Sequence, residues 1–194
     1  MPVQESIAEA IAAIRLLTAS EREIEAAAEL ILKALKAGRK VLACGNGGSA
    51  ADSAHFATEL ACRFVDDRRP FPAISLCSDG GLITATANDY SFEELFARQV
   101  CAFGQPGDVL IALTTSGKSA NVRRALEQAR ESGLDSVALL GRDGGDCRGL
   151  ATVEILVPHN STARVQEAHK VAIHLVCELI EPHLQALSVK SERS

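Results

Sequence analysis

The chain of 194 residues has no tryptophan, one tyrosine and one methionine, and aromatic side chains make up only 4% of it. It has no apolar run of membrane-spanning length, which excludes a transmembrane helix. Its first residues, Met-Pro-Val-Gln-Glu-Ser, are neither basic nor continuously apolar, so no signal peptide is expected and a cytoplasmic protein is. It lacks a basic surplus: the net charge is −5, with basic residues scattered apart from the pair Arg68-Arg69. That argues against non-specific nucleic-acid binding, which needs a positive surface. The six cysteines (Cys44, Cys62, Cys77, Cys101, Cys147, Cys177) form no C-x-x-C, and most fall in apolar segments, so they read as buried reduced thiols. Internal repeats and linkers are also missing. One domain spanning 1–194 is expected, long enough to bury a real core.

What is present is a regular alternation. Val3, Ile7, Ile11, Ile14 and Leu17 recur at helical spacing, and Ser20-Glu-Arg-Glu23 reads as a capping box opening a second helix that Gly38 ends. Short apolar strands follow at Lys40–Cys44, Ala73–Cys77, Asp108–Leu113, Ser136–Leu140 and Val153–Val157. Between them lie helical stretches from the glycine turn to about Phe64, over Leu82–Ala87, over Phe92–Phe103 and over Ser119–Glu131. A long helix from Arg164 to about Leu187 closes the chain. Apolar strands separated by helices predict an α/β fold: one doubly wound, five-stranded parallel sheet flanked by helices, with an N-terminal helical pair. The chain divides into that pair (1–37), the α/β core (38–187) and a tail (188–194). With so few aromatics to bury, the N-terminal pair is assigned to a subunit interface.

In such sheets ligands bind beyond the carboxyl ends of the strands. One of those ends carries Thr114-Thr115-Ser116-Gly117-Lys118-Ser119, where hydroxyls, freed backbone N–H groups and a helix start converge. This pattern grips a phosphate without many cations. A plain helix cap needs only one hydroxyl. The earlier turn, Gly45-Asn46-Gly47-Gly48-Ser49-Ala50, fits G-x-G-x-x-A, but no acidic residue ends the next strand about twenty residues on. A cradle for sugar oxygens or a small anion suits it better than a dinucleotide.

Two half-sites carry the remaining chemistry. His55-Phe-Ala-Thr-Glu59 places an imidazole and a carboxylate on one helix face, and Gln166 through His174 adds an amide and a second imidazole. His55, Glu59 and His174 are ordinary zinc ligands, and Gln166 is an unusual one. His169 and His183 are assigned to surface or interface positions, and His159 to a loop.

Taken together, C-G-N-G-G-S-A-A-D, H-F-A-T-E, N-D-Y, T-T-S-G-K-S and R-V-Q-E-A-H resemble the sugar isomerase (SIS) family over nearly the whole chain. Within it the likeness is to the branch that interconverts sedoheptulose 7-phosphate and D-glycero-D-manno-heptose 7-phosphate in bacterial heptose synthesis, towards lipopolysaccharide precursors. The resemblance implies an aldose–ketose isomerase, a homotetramer with intersubunit active sites, and zinc. It places the metal set on His55, Glu59, Gln166 and His174, with Glu59 and His174 catalytic. Substrate contacts fall on Asn46, Gly47, Gly48, Asn88, Asp89, Thr114, Thr115, Ser116 and Ser119, together with Glu59 and Gln166. A non-enzymatic branch of the family lacks the equivalents of Glu59 and His174, and this chain has both. It departs from some members at Gly81, where they carry serine, and at Ala163, where some carry aspartate.

Such an isomerisation passes through a cis-enediol and needs a base at carbon and an acid or Lewis acid at the carbonyl. Glu59 suits the base and His174 a proton shuttle between oxygens. A glutamate bound tightly to zinc is a weaker base, so its two roles compete. Gln166 and His174 stand about 12 Å apart along one helix. This predicts either that Gln166 lies at a frayed helix start or that the site lies between subunits. A phosphosugar-binding protein without turnover and an isomerase of another phosphosugar are the alternatives.

Overall fold

The computed structural model describes residues 2–191. Five strands, β1 (Val41–Gly45), β2 (Ala73–Ser75), β3 (Val109–Thr114), β4 (Asp135–Gly141) and β5 (Val153–Val157), form one sheet in the order β2-β1-β3-β4-β5. Every neighbouring pair is parallel. Alternate residues of each central strand enter opposite cores. Val41, Val109, Ile111, Val137 and Leu139 face one cluster, while Leu42, Leu110, Ala112, Ala138 and Leu140 face the other. Burial on both faces explains why these strands are apolar throughout instead of alternating with polar residues.

The first cluster is covered by α2 (Glu21–Lys36), α3 (Gly48–Ala61) and α7 (Thr162–Ser191), the second by α5 (Leu95–Phe103) and α6 (Ala120–Glu131). Helix α4 (Gly80–Asp89) lies outside, with Thr86 its one buried residue. The C-terminal ends of α2 and α6 are closed alike: Arg39 N–H reaches Ala34 O at 2.9 Å, and Leu134 N–H reaches Ala129 O at 2.8 Å. Each closure passes through a left-handed glycine, Gly38 (φ 71°) and Gly133 (φ 73°), a conformation in which Cβ would be strained.

Several local expectations differ from the fold. Helix α1 (Val3–Arg15) runs into a 3-10 segment, Leu16–Ser20, with no break before α2. Ser20 makes no side-chain cap; its hydroxyl reaches Leu156 O at 3.5 Å, so the capping box is not formed. The apolar stripe of α1 also splits: Ile14 and Leu17 pack on the core, while Val3, Ile7 and Ile11 are exposed. Strand β2 stops at Ser75 because the chain turns there, and α3 stops at Ala61, short of Phe64. Helix α7 continues to Ser191 through the first part of the segment assigned as tail, and 192–194 lie outside the described residues. All six cysteines are free, but only Cys44, Cys147 and Cys177 are buried.

Candidate active site

Helices α3 and α7 lie side by side and parallel, and their facing stripes meet rung by rung. At the first rung, Gly48 opens α3 directly beneath the Gln166 amide; a Cβ at 48 would overlap that side chain. At the second, buried Asp52 accepts from Gln166 Nε2 at 3.2 Å and pairs with Lys170 Nζ at 2.7 Å. At the third, His55 Nε2 lies 2.9 Å from His174 Nε2 and 3.1 Å from Glu59 Oε1. The fourth is bridged by Arg68. Its guanidinium donates to Glu59 O at 2.7 Å and Leu60 O at 3.1 Å, satisfying carbonyls at the end of α3, and pairs with Glu181 of α7 at 2.9 Å.

The donor atoms of His55, Glu59 and His174 all lie within 4.8 Å of one another, a group able to hold a metal ion. Two imidazoles and a carboxylate converging on one point are a standard zinc donor set. Both imidazoles offer Nε2, and desolvation followed by the Lys170 charge lowers the His55 pKa, which favours the neutral ring a metal needs. Phe64 walls the other side of the His174 ring at 6.0 Å. These donors meet inside a single chain, so this cluster needs no partner residue. Gln166 sits in the second turn of α7 and not at a frayed start; with its nitrogen on Asp52, its Oε1 has no hydrogen-bond donor among the described residues.

The serine loop leaves β3 for α6. Ser119 occupies the N-cap position but makes no cap bond; its hydroxyl turns inward to Thr114 Oγ1 at 3.0 Å, and Ser116 Oγ lies 3.4 Å from the same atom. The hydroxyls therefore gather on the loop's inner side instead of serving the helix. Backbone from the β4 end supports them: a Cβ at Gly117 would collide with Gly144, and one at Gly141 with Thr115 O. Across the sheet, Asn46 of the glycine turn pairs its amide reciprocally with Asn121 in the first turn of α6. Asn88 and Asp89 end α4 in an exposed position, and their side chains bond each other at 2.7 Å.

The profile of the SIS domain family matches residues 5–141. A phosphoheptose isomerase of Shewanella sediminis is 53% identical over 161 residues, 81% of this chain and 82% of its own length. One from Alteromonas mediterranea is 50% identical over 183 residues, 93% and 91% of the two chains. The chain belongs to the SIS domain family. Both of these relatives are phosphoheptose isomerases, and two solved structures of the same kind resemble the fold. The phosphoheptose isomerase of Neisseria gonorrhoeae superimposes with a TM-score of 0.86 at 41% identity, covering 93% of this chain and 97% of that one. That of Francisella tularensis gives 0.85 at 34% identity, covering 94% and 100%.

Four further residues in or beside this SIS-domain site are not among the sequence candidates above. Asp52 stands one turn before His55 on the same face, a D-x-x-H spacing that could have flagged it. Asn121 lies two residues beyond Ser119. Arg68 reads as half of a solvated basic pair but is buried, because its partners come from α3 and α7. His169, assigned to a surface or interface position, is fully buried, with neither ring nitrogen in a well-formed hydrogen bond. Burial pushes its pKa down to about 4 against smaller opposing effects of the Leu140 backbone and Asp52.

Proposed function

We propose that the chain is an aldose–ketose isomerase interconverting sedoheptulose 7-phosphate and D-glycero-D-manno-heptose 7-phosphate through a cis-enediol. The observation that carries this reading is the convergence of His55, Glu59 and His174 in a chain of this family. In this reading the phosphate rests on Thr114, Thr115, Ser116 and Ser119 at the N-terminus of α6, where the dipole and unpaired N–H groups favour an anion. Asn46, Gly47, Gly48, Asn88 and Asp89 are assigned to the sugar.

Glu59 takes the proton from carbon. Its Oε1 is the oxygen engaged by His55, which leaves Oε2 as the base. His174, held edge-on to His55 and walled by Phe64, moves the proton between the neighbouring oxygens. Zinc is the metal proposed, held by His55, Glu59, His174 and the amide oxygen of Gln166. Bound there, it would polarise the carbonyl and hydroxyl oxygens as a Lewis acid.

A homotetramer with the N-terminal helices at its interfaces belongs to the same proposal, its partner subunits bordering sites whose metal donors come from one chain. The exposed stripe of Val3 (74%), Ile7 (54%) and Ile11 (48%) supports it. So does a groove of about 600 Å³ between the N-terminal helices and α7, lined by Ile14, Leu17, Ile24, Val171, Leu175 and Leu179. The six free thiols favour a reducing, cytoplasmic setting, where heptose phosphate would feed lipopolysaccharide precursors. No helix among the described residues is long and apolar enough to cross a membrane.

The test is turnover of a phosphosugar panel by the zinc-supplemented protein in deuterated water, with sedimentation in parallel. Conversion of sedoheptulose 7-phosphate with deuterium entering C2 is the expected result. Failure to convert it, or preference for another sugar phosphate, overturns the assignment.

A further inference from the structure

The sheet order places a topological switch point between β1 and β3, where the chain departs in opposite directions and a crevice opens at the carboxyl ends. The two loops bordering that crevice are the glycine turn after β1 and the serine loop after β3. The side chains of Asn46 and Asn121 span it. Asn46 Nδ2 donates to Asn121 Oδ1 at 2.8 Å, and Asn121 Nδ2 donates to Asn46 Oδ1 at 2.9 Å. Asn121 is 2% exposed, and 75 residues separate the two in sequence.

A reciprocal amide pair is demanding chemistry. Each side chain must present one donor and one acceptor in the same plane, and a carboxylate on either side would set lone pair against lone pair. The pair is neutral and part-buried, with Asn121 the enclosed member, so removing Asn46 would strand the polar atoms of a buried amide. It also fixes the orientation of the Asn46 amide, leaving it one N–H and one oxygen lone pair for the sugar. The distance of the turn from the hydroxyls of Thr114, Ser116 and Ser119 is set from α6.

We infer that Asn121 is a positioning residue for phosphosugar binding, acting through Asn46 to hold the glycine turn and the serine loop at a fixed separation. The inference rests on the phosphosugar reading above and extends it to a residue outside the ligand set. It places the coupling between the two halves of the substrate cradle in one pair of amides that shares no hydrogen bond with His55, Glu59 or His174.

The experiment compares zinc-loaded wild type with Asn46→Ala, Asn121→Ala, the double variant and the near-isosteric Asn121→Asp. It reads kcat and KM on sedoheptulose 7-phosphate, calorimetric Kd for the same sugar, and zinc affinity. Each alanine variant is expected to raise KM and Kd about tenfold or more, with the double no worse than either single, and with zinc affinity unchanged. Asn121→Asp should bind poorly at high pH. Its KM relative to wild type should recover as the pH falls and the carboxyl takes a proton, because the acid restores the donor of the amide. A merely structural role would not produce that recovery, and this variant keeps the test open if the alanine variants do not fold. Wild-type KM and Kd in Asn121→Ala, or effects of the two singles that multiply in the double, overturn the inference. A wild type that binds the sugar without converting it overturns the proposed reaction, and the Kd pattern then decides the inference alone.

Discussion

His55 and His174 lie 119 residues apart in sequence, yet their Nε2 atoms are 2.9 Å apart in the fold. At that distance one ring can donate to the other, and a metal that accepts a lone pair from each Nε2 must displace the shared proton. Metal is therefore expected to stabilise the protein, since only the folded chain assembles the donors. At free zinc a hundred times its dissociation constant the gain is about 2.7 kcal/mol. Melting curves with and without chelator check this, and the metal-dependent shift should vanish in His55→Ala and in His174→Ala.

Glu59 is half-enclosed by His55 and the end of α3, with its side chain 14% exposed. Glu59→Gln keeps the shape but removes the base. Turnover should fall by about 10²–10⁴, with circular dichroism unchanged. Loss of deuterium exchange at carbon, measured separately from net conversion, would assign the lost step to proton abstraction.

Arg68 and Glu181 form an ion pair whose side chains are 1% and 8% exposed. Removing one partner leaves a desolvated charge, so Arg68→Met or Glu181→Leu alone should cost about 3–5 kcal/mol. The double variant should regain most of that loss. Denaturant unfolding of the three variants gives the comparison. Equal, additive losses would show that the two charges do not depend on each other.

His169 gives the fold a pH dependence. Its pKa of about 4 in the folded chain lies below the ordinary 6.5, so the unfolded chain holds more protons between those values. Stability then rises with pH across that window: it is complete above 6.5 and is lost progressively as the pH falls toward 4. The full effect is about 3 kcal/mol. His169→Leu should flatten the profile of unfolding free energy from pH 4 to 6.5, and an unchanged slope would assign it to other groups.

The parallel sheet is legible in the chain because strands buried on both faces leave an apolar run between turn residues, as Val109–Thr114 does. The glycine turn and serine loop are legible for a related reason: glycine and hydroxyl residues cluster where backbone meets ligand. Arg68 and Asn121 are different. Each owes its role to partners on another element, such as Glu181, which lies 113 positions from Arg68, and no local spacing encodes such a pairing. The unformed capping box has a local cause. Ser20 is the last residue of a 3-10 turn that already carries the helix forward, so no free N-terminus remains for it to cap.

The aligned rungs of α3 and α7 also set what kinds of sequence change this fold can absorb. Adding one residue inside a helix rotates everything beyond it by about 100°. An insertion between Gly48 and Glu59, or between Gln166 and Glu181, would turn part of one stripe away from its counterpart and uncouple several contacts at once. The connections outside the helices carry no such periodicity, so a change of length there rotates no stripe. Length variation among functional relatives should therefore collect in those connections and be absent from the two helical stretches.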